Sequence, residues 1–154
     1  METWPFMQQG QKTANIHAAR LEAACFKIQA LLPFNENTFK KLKDEQIAWL
    51  DMLTTRLGKL QDIIGSKIFP LILDILGEND LSLTDRLNKL EKLHIIQNAH
   101  WWMELREIRN QITLDYPDSY DLLSTHLFPY AKALLTEWHT LQSKISNLLS
   151  QRAS

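Results

Sequence analysis

Residues 50–65 read LDMLTTRLGKLQDIIG, and large apolar side chains recur there with gaps of three, four, three and four residues. An α-helix advances about 3.6 residues per turn, so side chains at this spacing lie on one face. An apolar face of this length is typical of helices that pack together in a bundle. The stretch predicts a helix whose buried face comprises Leu50, Leu53, Leu57, Leu60 and Ile64.

The composition of the whole chain extends this helical prediction. Its 154 residues include 26 leucines and 13 isoleucines but no valine, and only four glycines and five prolines. Strands favour β-branched residues and need frequent turns, so this composition favours helices. We expect an all-α protein, an antiparallel bundle of five or six helices. The length suits one domain, over residues 13–150, preceded by a flexible N-terminal segment over residues 1–12.

The first part of that domain should contain two main helices. The first helix is predicted over residues 13–32, because Pro33 ends the helical pattern. The second helix is expected to begin at Asn37 or Thr38, which are both good N-terminal caps. The predicted buried face of the first helix comprises Ile16, Ala19, Ala23, Phe26 and Ala30.

The second half of the chain is divided by breakers and caps. Gly65 and Pro70 interrupt an apolar pattern that keeps its period, so they should bend one long helix. A last helix is expected over residues 119–149. The residues predicted to cap the helices between them are Ser82 or Thr84, and Asn98.

The bulk properties exclude several classes of protein. Seventeen basic and eighteen acidic residues give a net charge of -1, which disfavours a large cationic surface for duplex nucleic acid. The single cysteine, Cys25, cannot form an internal disulfide, which favours a reducing compartment. Neither a signal peptide nor an apolar run of membrane-spanning length is visible. We therefore expect a cytoplasmic protein without a membrane segment.

The segment from Trp101 to Tyr116 has two faces when it is wound as a helix. At about 100° per residue, an apolar stripe lies beside a stripe of two guanidinium groups, a hydroxyl and a phenol. The apolar stripe, which should be buried, comprises Trp101, Leu105, Ile108 and Ile112, and the polar stripe comprises Arg106, Arg109, Thr113 and Tyr116.

The polar stripe has two interpretations. It can be an ordinary exposed face, with Arg106 and Arg109 paired to nearby carboxylates. It can also be a phosphate site, because a guanidinium such as that of Arg109 binds a phosphate bidentately. Tyr116 directly precedes Pro117, where the helix must end, so its hydroxyl should be accessible.

Residues 105–117, LREIRNQITLDYP, resemble the signature of the HepT-like branch of the HEPN superfamily. That signature is an arginine, usually followed by asparagine, then a short spacer, histidine, any residue and tyrosine. Two upstream stretches are similar to the same branch, namely RLGKLQD at residues 56–62 and DRLNKLEKL at residues 85–93. The resemblance covers about residues 20–148, nearly the whole chain.

The resemblance implies a homodimeric helical bundle in which the two motif helices meet at a cleft. Many HEPN proteins are metal-independent ribonucleases, and HepT is a toxin whose antitoxin is a minimal nucleotidyltransferase. That antitoxin silences the toxin by transferring adenylate to the motif tyrosine, a nucleotidylylation. Carried over to this chain, Arg109 would bind phosphate with Asn110 beside it, and Tyr116 would accept the adenylate.

The chain departs from the signature at one position, where Leu114 replaces the histidine. Histidine suits the proton transfers of metal-free RNA cleavage because its pKa lies near neutrality, and such catalysis contributes about 10²–10⁴-fold. Asp115 and Asp62 are candidate substitute bases, although an ordinary carboxylate is poorly matched to that proton. Three further residues complete the candidate cleft, namely Arg106, Asp62 and Leu114. Leu114 can instead serve as a contact between two copies.

Two functions therefore remain open from the sequence. The first is a HepT-like ribonuclease toxin with a degenerate motif, whose catalytic candidates are Arg109, Asn110, Asp115 and Tyr116. The second is a catalytically inactive helical subunit that docks a nucleotidyltransferase or RNA. We expect no metal or cofactor, because no two histidines have helical i, i+4 spacing.

Overall fold

The computed structural model describes residues 3–78, 81–115 and 123–153, and only the backbone at residues 111–115, 123, 152 and 153. These residues are almost entirely helical, and no strand occurs among them. Two π-helical turns, Ile64–Ile68 and Leu123–Leu127, precede the fourth and the last helix. The α-helices are α1 (Thr3–Gln29), α2 (Glu36–Lys40), α3 (Asp44–Ile63), α4 (Phe69–Ile75), α5 (Leu83–Lys92), α6 (Ala99–Asp115) and α7 (Phe128–Ala153).

The centre of the bundle is α3. All five predicted residues of its apolar face are at most 3% exposed, so this prediction is confirmed. The long helices α1 and α7 pack against α3 and against each other, and α6 packs against both α3 and α5. The all-helical bundle expected from the composition is therefore present.

The chain runs from α3 into α4 through the π-helical turn without leaving the helical path. Gly65 lies within this turn, and Pro70 lies in the first turn of α4. Pro70 has no N–H to donate into this continuous helical path, and a proline that interrupts the regular hydrogen-bond ladder is a common cause of a helix bend. The predicted bend at Gly65 and Pro70 is thus a π-helical insertion.

The helix caps show how local sequence sets the helix starts. Ser82 caps α5 by accepting a hydrogen bond from the Asp85 amide at 3.2 Å, as predicted. Asn98 accepts a hydrogen bond from the Trp101 amide at 3.1 Å and so caps α6, also as predicted. The expected start at Asn37 or Thr38 was wrong by a few residues, because Asn35 caps the short α2.

The N-terminal residues differ from the expectation of a flexible segment. Helix α1 begins at Thr3, so residues 3–12 form its first turns, with Met7 and Gly10 buried. A Cβ atom on Gly10 would lie 2.8 Å from Cδ1 of Ile68, so glycine allows α1 to approach the π-helical turn closely. The residues around Gly10 are polar, so no apolar periodicity predicted a packed helix over this segment.

The predicted buried face of α1 was wrong. The residues of α1 that face the core are Ala14, Ala18, Leu21, Ala24, Cys25 and Ile28, and the predicted stripe lies on the exposed side. Phe26 is 82% exposed and Ile16 is 52% exposed. Helix α1 is apolar on two faces, and periodicity alone cannot decide which face the other helices cover.

The buried face of α6 is also shifted from the prediction. Trp102 is 4% exposed and Leu105 is fully buried, whereas Trp101 and Ile108 are only half-buried. The Trp102 ring packs edge-on against Phe69 with a centroid distance of 4.9 Å. Leu105 is therefore buried as predicted, and the tryptophan that faces the core is Trp102 rather than Trp101.

None of the helices in the described parts of the chain has the length and hydropathy that crossing a membrane requires.

The contact at Gly10 yields a stability prediction. We expect Gly10→Ala to lower the free energy of unfolding by about 1 kcal/mol, because the steric cost of about 1–3 kcal/mol exceeds the gain of about 1 kcal/mol in helix propensity. The control is Gly65→Ala, whose Cβ would lie 3.9 Å from the nearest atom, Nε2 of Gln61. Urea unfolding of both variants measures the difference. Equal or higher stability of Gly10→Ala would contradict the proposed close approach.

Candidate functional site

A pocket of about 340 Å³ lies where the end of α3, the π-helical turn after it, α5 and α6 meet. Three arginines line it, namely Arg86 from α5 and Arg106 and Arg109 from α6. Asp62 and Asn110 line the same pocket. We call this site the arginine pocket.

The arginine pocket is assembled by the packing of its helices. Arg106 and Arg109 are three residues apart on α6, so both project from the same side of the helix. Arg86 lies in the second turn of α5, after the Ser82 cap. Buried Leu90 and Leu105 lie on α5 and α6, which pack against each other, and this packing brings the three guanidinium groups to one pocket.

Arg109 is held by a carboxylate from α3. Its Nη2 atom donates a hydrogen bond to Oδ2 of Asp62 at 2.5 Å, and both side chains are partly exposed. The Arg109 side chain passes over Gly58, where a Cβ atom would lie 3.7 Å from Nε. The pair fixes the guanidinium of Arg109 at the wall shared by α3 and α6.

The electrostatic balance of the pocket is positive. Neither Arg86 nor Arg106 forms an ion pair with any described carboxylate. Guanidinium groups stay protonated at all physiological pH values. Among the described residues that line the pocket, three positive charges stand against the single carboxylate of Asp62, in a chain whose net charge is -1. Such a pocket attracts anions.

Neutral polar groups complete the pocket. Gln61 is 8% exposed, and its Oε1 atom accepts no hydrogen bond from any described residue. The Ser66 hydroxyl donates to the main-chain carbonyl oxygen of Asp62. The side chain of Asn110 is exposed at the rim. Because the Gln61 oxygen is itself buried, the neutral polar side chains open to a ligand are those of Ser66 and Asn110, which are exposed.

Most of the residues predicted for the cleft come together in this pocket. Arg106, Arg109, Asn110 and Asp62 all line it, although they come from two helices. Sequence reasoning missed Arg86, Gln61 and Ser66 as site residues. Arg86 stands in the stretch at residues 85–93 that resembles the HepT-like branch, but nothing in the local pattern assigned it a role.

Other predicted residues fall outside the described part. Tyr116 lies outside the described residues. Leu114 and Asp115 belong to the last turn of α6, where the structure gives the backbone alone. Their expected roles as contact, base and adenylate acceptor stay predictions.

Two side chains with shifted pKa values, His17 and Cys25, lie away from the arginine pocket. Burial, together with the nearby charges of Arg56 and Lys59, lowers the pKa of His17, whose Nδ1 lies 2.9 Å from Nη1 of Arg56. Burial raises the pKa of the Cys25 thiol to about 11, so this thiol is neutral and unreactive. Among the described residues, no cluster of three or more His, Cys, Asp or Glu side chains is placed to hold a metal ion.

Comparison of the chain with protein-family models, curated proteins and solved structures finds no match. The resemblance to the HepT-like branch therefore stays a prediction.

The charge balance predicts opposite effects of two substitutions on anion binding. We expect Arg86→Gln to weaken the binding of inorganic phosphate several-fold, because it removes an uncompensated positive charge. We expect Asp62→Asn to strengthen it several-fold, because it removes a negative charge from the wall of the pocket. Isothermal titration calorimetry with phosphate measures both effects.

The matched control is Arg20→Gln, which removes an exposed arginine of α1 outside the arginine pocket. If all three variants bound phosphate like the wild type, the arginine pocket would not be an anion site.

Proposed function

We propose that this chain binds RNA through phosphate groups held in the arginine pocket, as the toxin-type component of a HepT-like toxin–antitoxin pair in the cytoplasm. The observation that carries the proposal is the presence of Arg86 and Arg106 in one pocket without an ion-pair partner among the described residues. The sequence resemblance supports the toxin–antitoxin role, and the uncompensated arginines of the pocket support the binding of phosphate groups.

The pocket chemistry fits a phosphate ester better than a carboxylate ligand. A guanidinium presents two parallel N–H groups to two phosphate oxygens, and several arginines can surround one phosphate. A volume of about 340 Å³ accommodates a phosphate with part of its sugar. The exposed Asn110 amide and Ser66 hydroxyl, which both line the pocket, can serve a ribose hydroxyl or a base edge.

The same pocket is poorly equipped to cut RNA by the usual metal-free route. That reaction needs a base for the 2′-hydroxyl proton and an acid for the leaving 5′-oxygen. No described histidine lines the pocket, and Leu114 stands at the motif histidine position. We therefore propose binding without efficient cleavage as the primary function.

Cleavage by a degenerate HepT-like ribonuclease is the second candidate, and one contact favours it. Asp62 lies 2.5 Å from Arg109, so a carboxylate stands beside a guanidinium that would bind the phosphate. A base in this position could reach a 2′-hydroxyl next to the bound phosphate. Asp115, six residues after Arg109 on α6, is the other carboxylate proposed as the base for this step.

RNA binding and cleavage can be separated in one set of assays. We expect fluorescently labelled single-stranded RNA to bind the wild type, and Arg86→Gln and Arg106→Gln to weaken binding several-fold with a shallower salt dependence, because each removes one phosphate contact. Arg20→Gln is the matched control. Unchanged binding in both pocket variants would contradict the proposed function.

The cleavage arm uses the same RNA in the presence of EDTA. We expect the wild type to give only the background cleavage that Arg109→Ala gives, and Leu114→His to gain activity, because the imidazole restores proton transfer near neutral pH. Wild-type cleavage that Asp62→Asn abolishes would instead establish the second candidate.

The proposed partner is a minimal nucleotidyltransferase that adenylates Tyr116. Tyr116 stands seven residues after Arg109 in the sequence, at the motif tyrosine position of the HepT-like signature. We expect incubation with ATP, Mg²⁺ and a transferase encoded beside this gene to add adenylate to the wild type but not to Tyr116→Phe, as measured by intact mass spectrometry. An adduct that persists in Tyr116→Phe would contradict Tyr116 as the acceptor.

A further inference from the structure

Helix α1 carries an apolar stripe that no described helix covers. Its members are exposed in the monomer, and the largest of them, Phe26, is 82% exposed. An isolated exposed leucine or isoleucine is ordinary, but a continuous exposed row led by a phenylalanine marks an interaction surface. We call this row the α1 stripe; it comprises Ile16, Ala19, Ala23 and Phe26 of α1 and Ala30 in the turn directly after it.

The spacing of the α1 stripe is that of a two-helix seam. Its gaps of three, four, three and four residues match the a and d positions of a heptad repeat, along which two helices pack side by side. Ala19 and Ala23 occupy the middle of the stripe, and their small side chains allow two helix backbones to approach closely. Ile16 and Phe26 flank them and supply most of the apolar area. The stripe is therefore shaped to receive another helix.

The charges beside the stripe favour a second copy of the same helix. With Ala19 and Phe26 at d positions, Glu22 is at a g position and Lys27 at the following e position, and both are exposed. In a parallel pair, a g residue faces the e residue five positions later on the other helix. In the monomer the Lys27 ammonium lies 4.8 Å from the centroid of the Trp49 ring on α3. When it turns from that ring to the seam, Glu22 of each copy meets Lys27 of the second copy, which gives two opposite-charge contacts.

The antiparallel arrangement lacks this complementarity. In an antiparallel seam, e positions face e positions and g positions face g positions. Arg20 would then lie against Arg20 of the second copy, and Glu22 against Glu22 of the second copy. Like charges in contact are unfavourable, so the flanks select the parallel pair.

We propose that two copies of this chain form a parallel dimer through the α1 stripe. No residue of α1 lines the arginine pocket, so this pairing leaves both pockets open to a ligand. The dimer also differs from the arrangement that the HepT-like resemblance implies, in which the motif helices meet. The inference rests on α1 alone and is independent of the proposed function.

The first test is the oligomeric state measured by sedimentation velocity over a range of protein concentrations. The wild type is expected to sediment as a species of twice the 18.0 kDa chain mass. Phe26→Glu is expected to shift it to the monomer with an unchanged helical circular dichroism spectrum, because an 82% exposed side chain contributes little to the fold. Phe6→Glu, a matched control at a 52% exposed residue of α1 outside the stripe, is expected to stay dimeric.

A wild type that is monomeric at every concentration, or a Phe26→Glu variant that stays dimeric, would overturn the proposal. The first of these results would leave the α1 stripe to a helix of a different protein, and the second would place the dimer interface elsewhere, for example at the motif helices.

The second test is disulfide cross-linking, which reports the direction of the pair. In the parallel dimer each a position faces its own counterpart, so Ala23→Cys is expected to give a reducible covalent dimer under mild oxidation. The wild type is expected to give no covalent dimer, because Cys25 is only 3% exposed. The control Ala48→Cys, at an exposed alanine of α3, is also expected to give none. Failure of Ala23→Cys to cross-link in a dimeric protein would overturn the parallel arrangement.

Discussion

The burial of one face of α3 is the constraint on which the rest of the structure depends. Burying each leucine of this face contributes about 1.5–3 kcal/mol, and the five residues from Leu50 to Ile64 fix the rotation of the helix about its axis. Because a helix is rigid, that rotation also decides where its remaining side chains lie. Asp62 is thereby directed to α6, where it meets Arg109. The core face and the wall of the arginine pocket are two consequences of one helix placement.

The arginine pocket is costly for the folded protein in the absence of a ligand. Three guanidinium groups share a small volume and repel one another, and Asp62 is the one carboxylate among the described residues that line it. An anion that binds there relieves the repulsion and supplies hydrogen-bond acceptors at the same time. The near-zero net charge of the chain conceals this local concentration, since the positive charge that matters comes from a few side chains on α5 and α6.

Sequence reasoning succeeded where one pattern had one structural outcome. The face from Leu50 to Ile64 consists entirely of leucine and isoleucine and is buried as predicted, and Ser82 and Asn98 are caps with a direct hydrogen-bonding reason. It failed where the outcome depended on distant packing. Helix α1 is apolar on two faces, so the stripe through Phe26 was predicted to be the core, and the close approach of Gly10 to Ile68 is a tertiary contact that the local sequence does not indicate. Arg86 lines the pocket because α5 packs on α6, and the residues next to Arg86 in the sequence do not predict that packing.

The central claim is that the arginine pocket, rather than the protein surface in general, binds the phosphate groups of RNA. The most direct measurement is an NMR titration that follows the arginine Nε–Hε resonances while single-stranded RNA is added. Binding in the arginine pocket should give saturable shifts for Arg86, Arg106 and Arg109, with the resonances of Arg20 and Arg56 unchanged. Shifts confined to Arg20 and Arg56, or small shifts of equal size at all arginines, would contradict it.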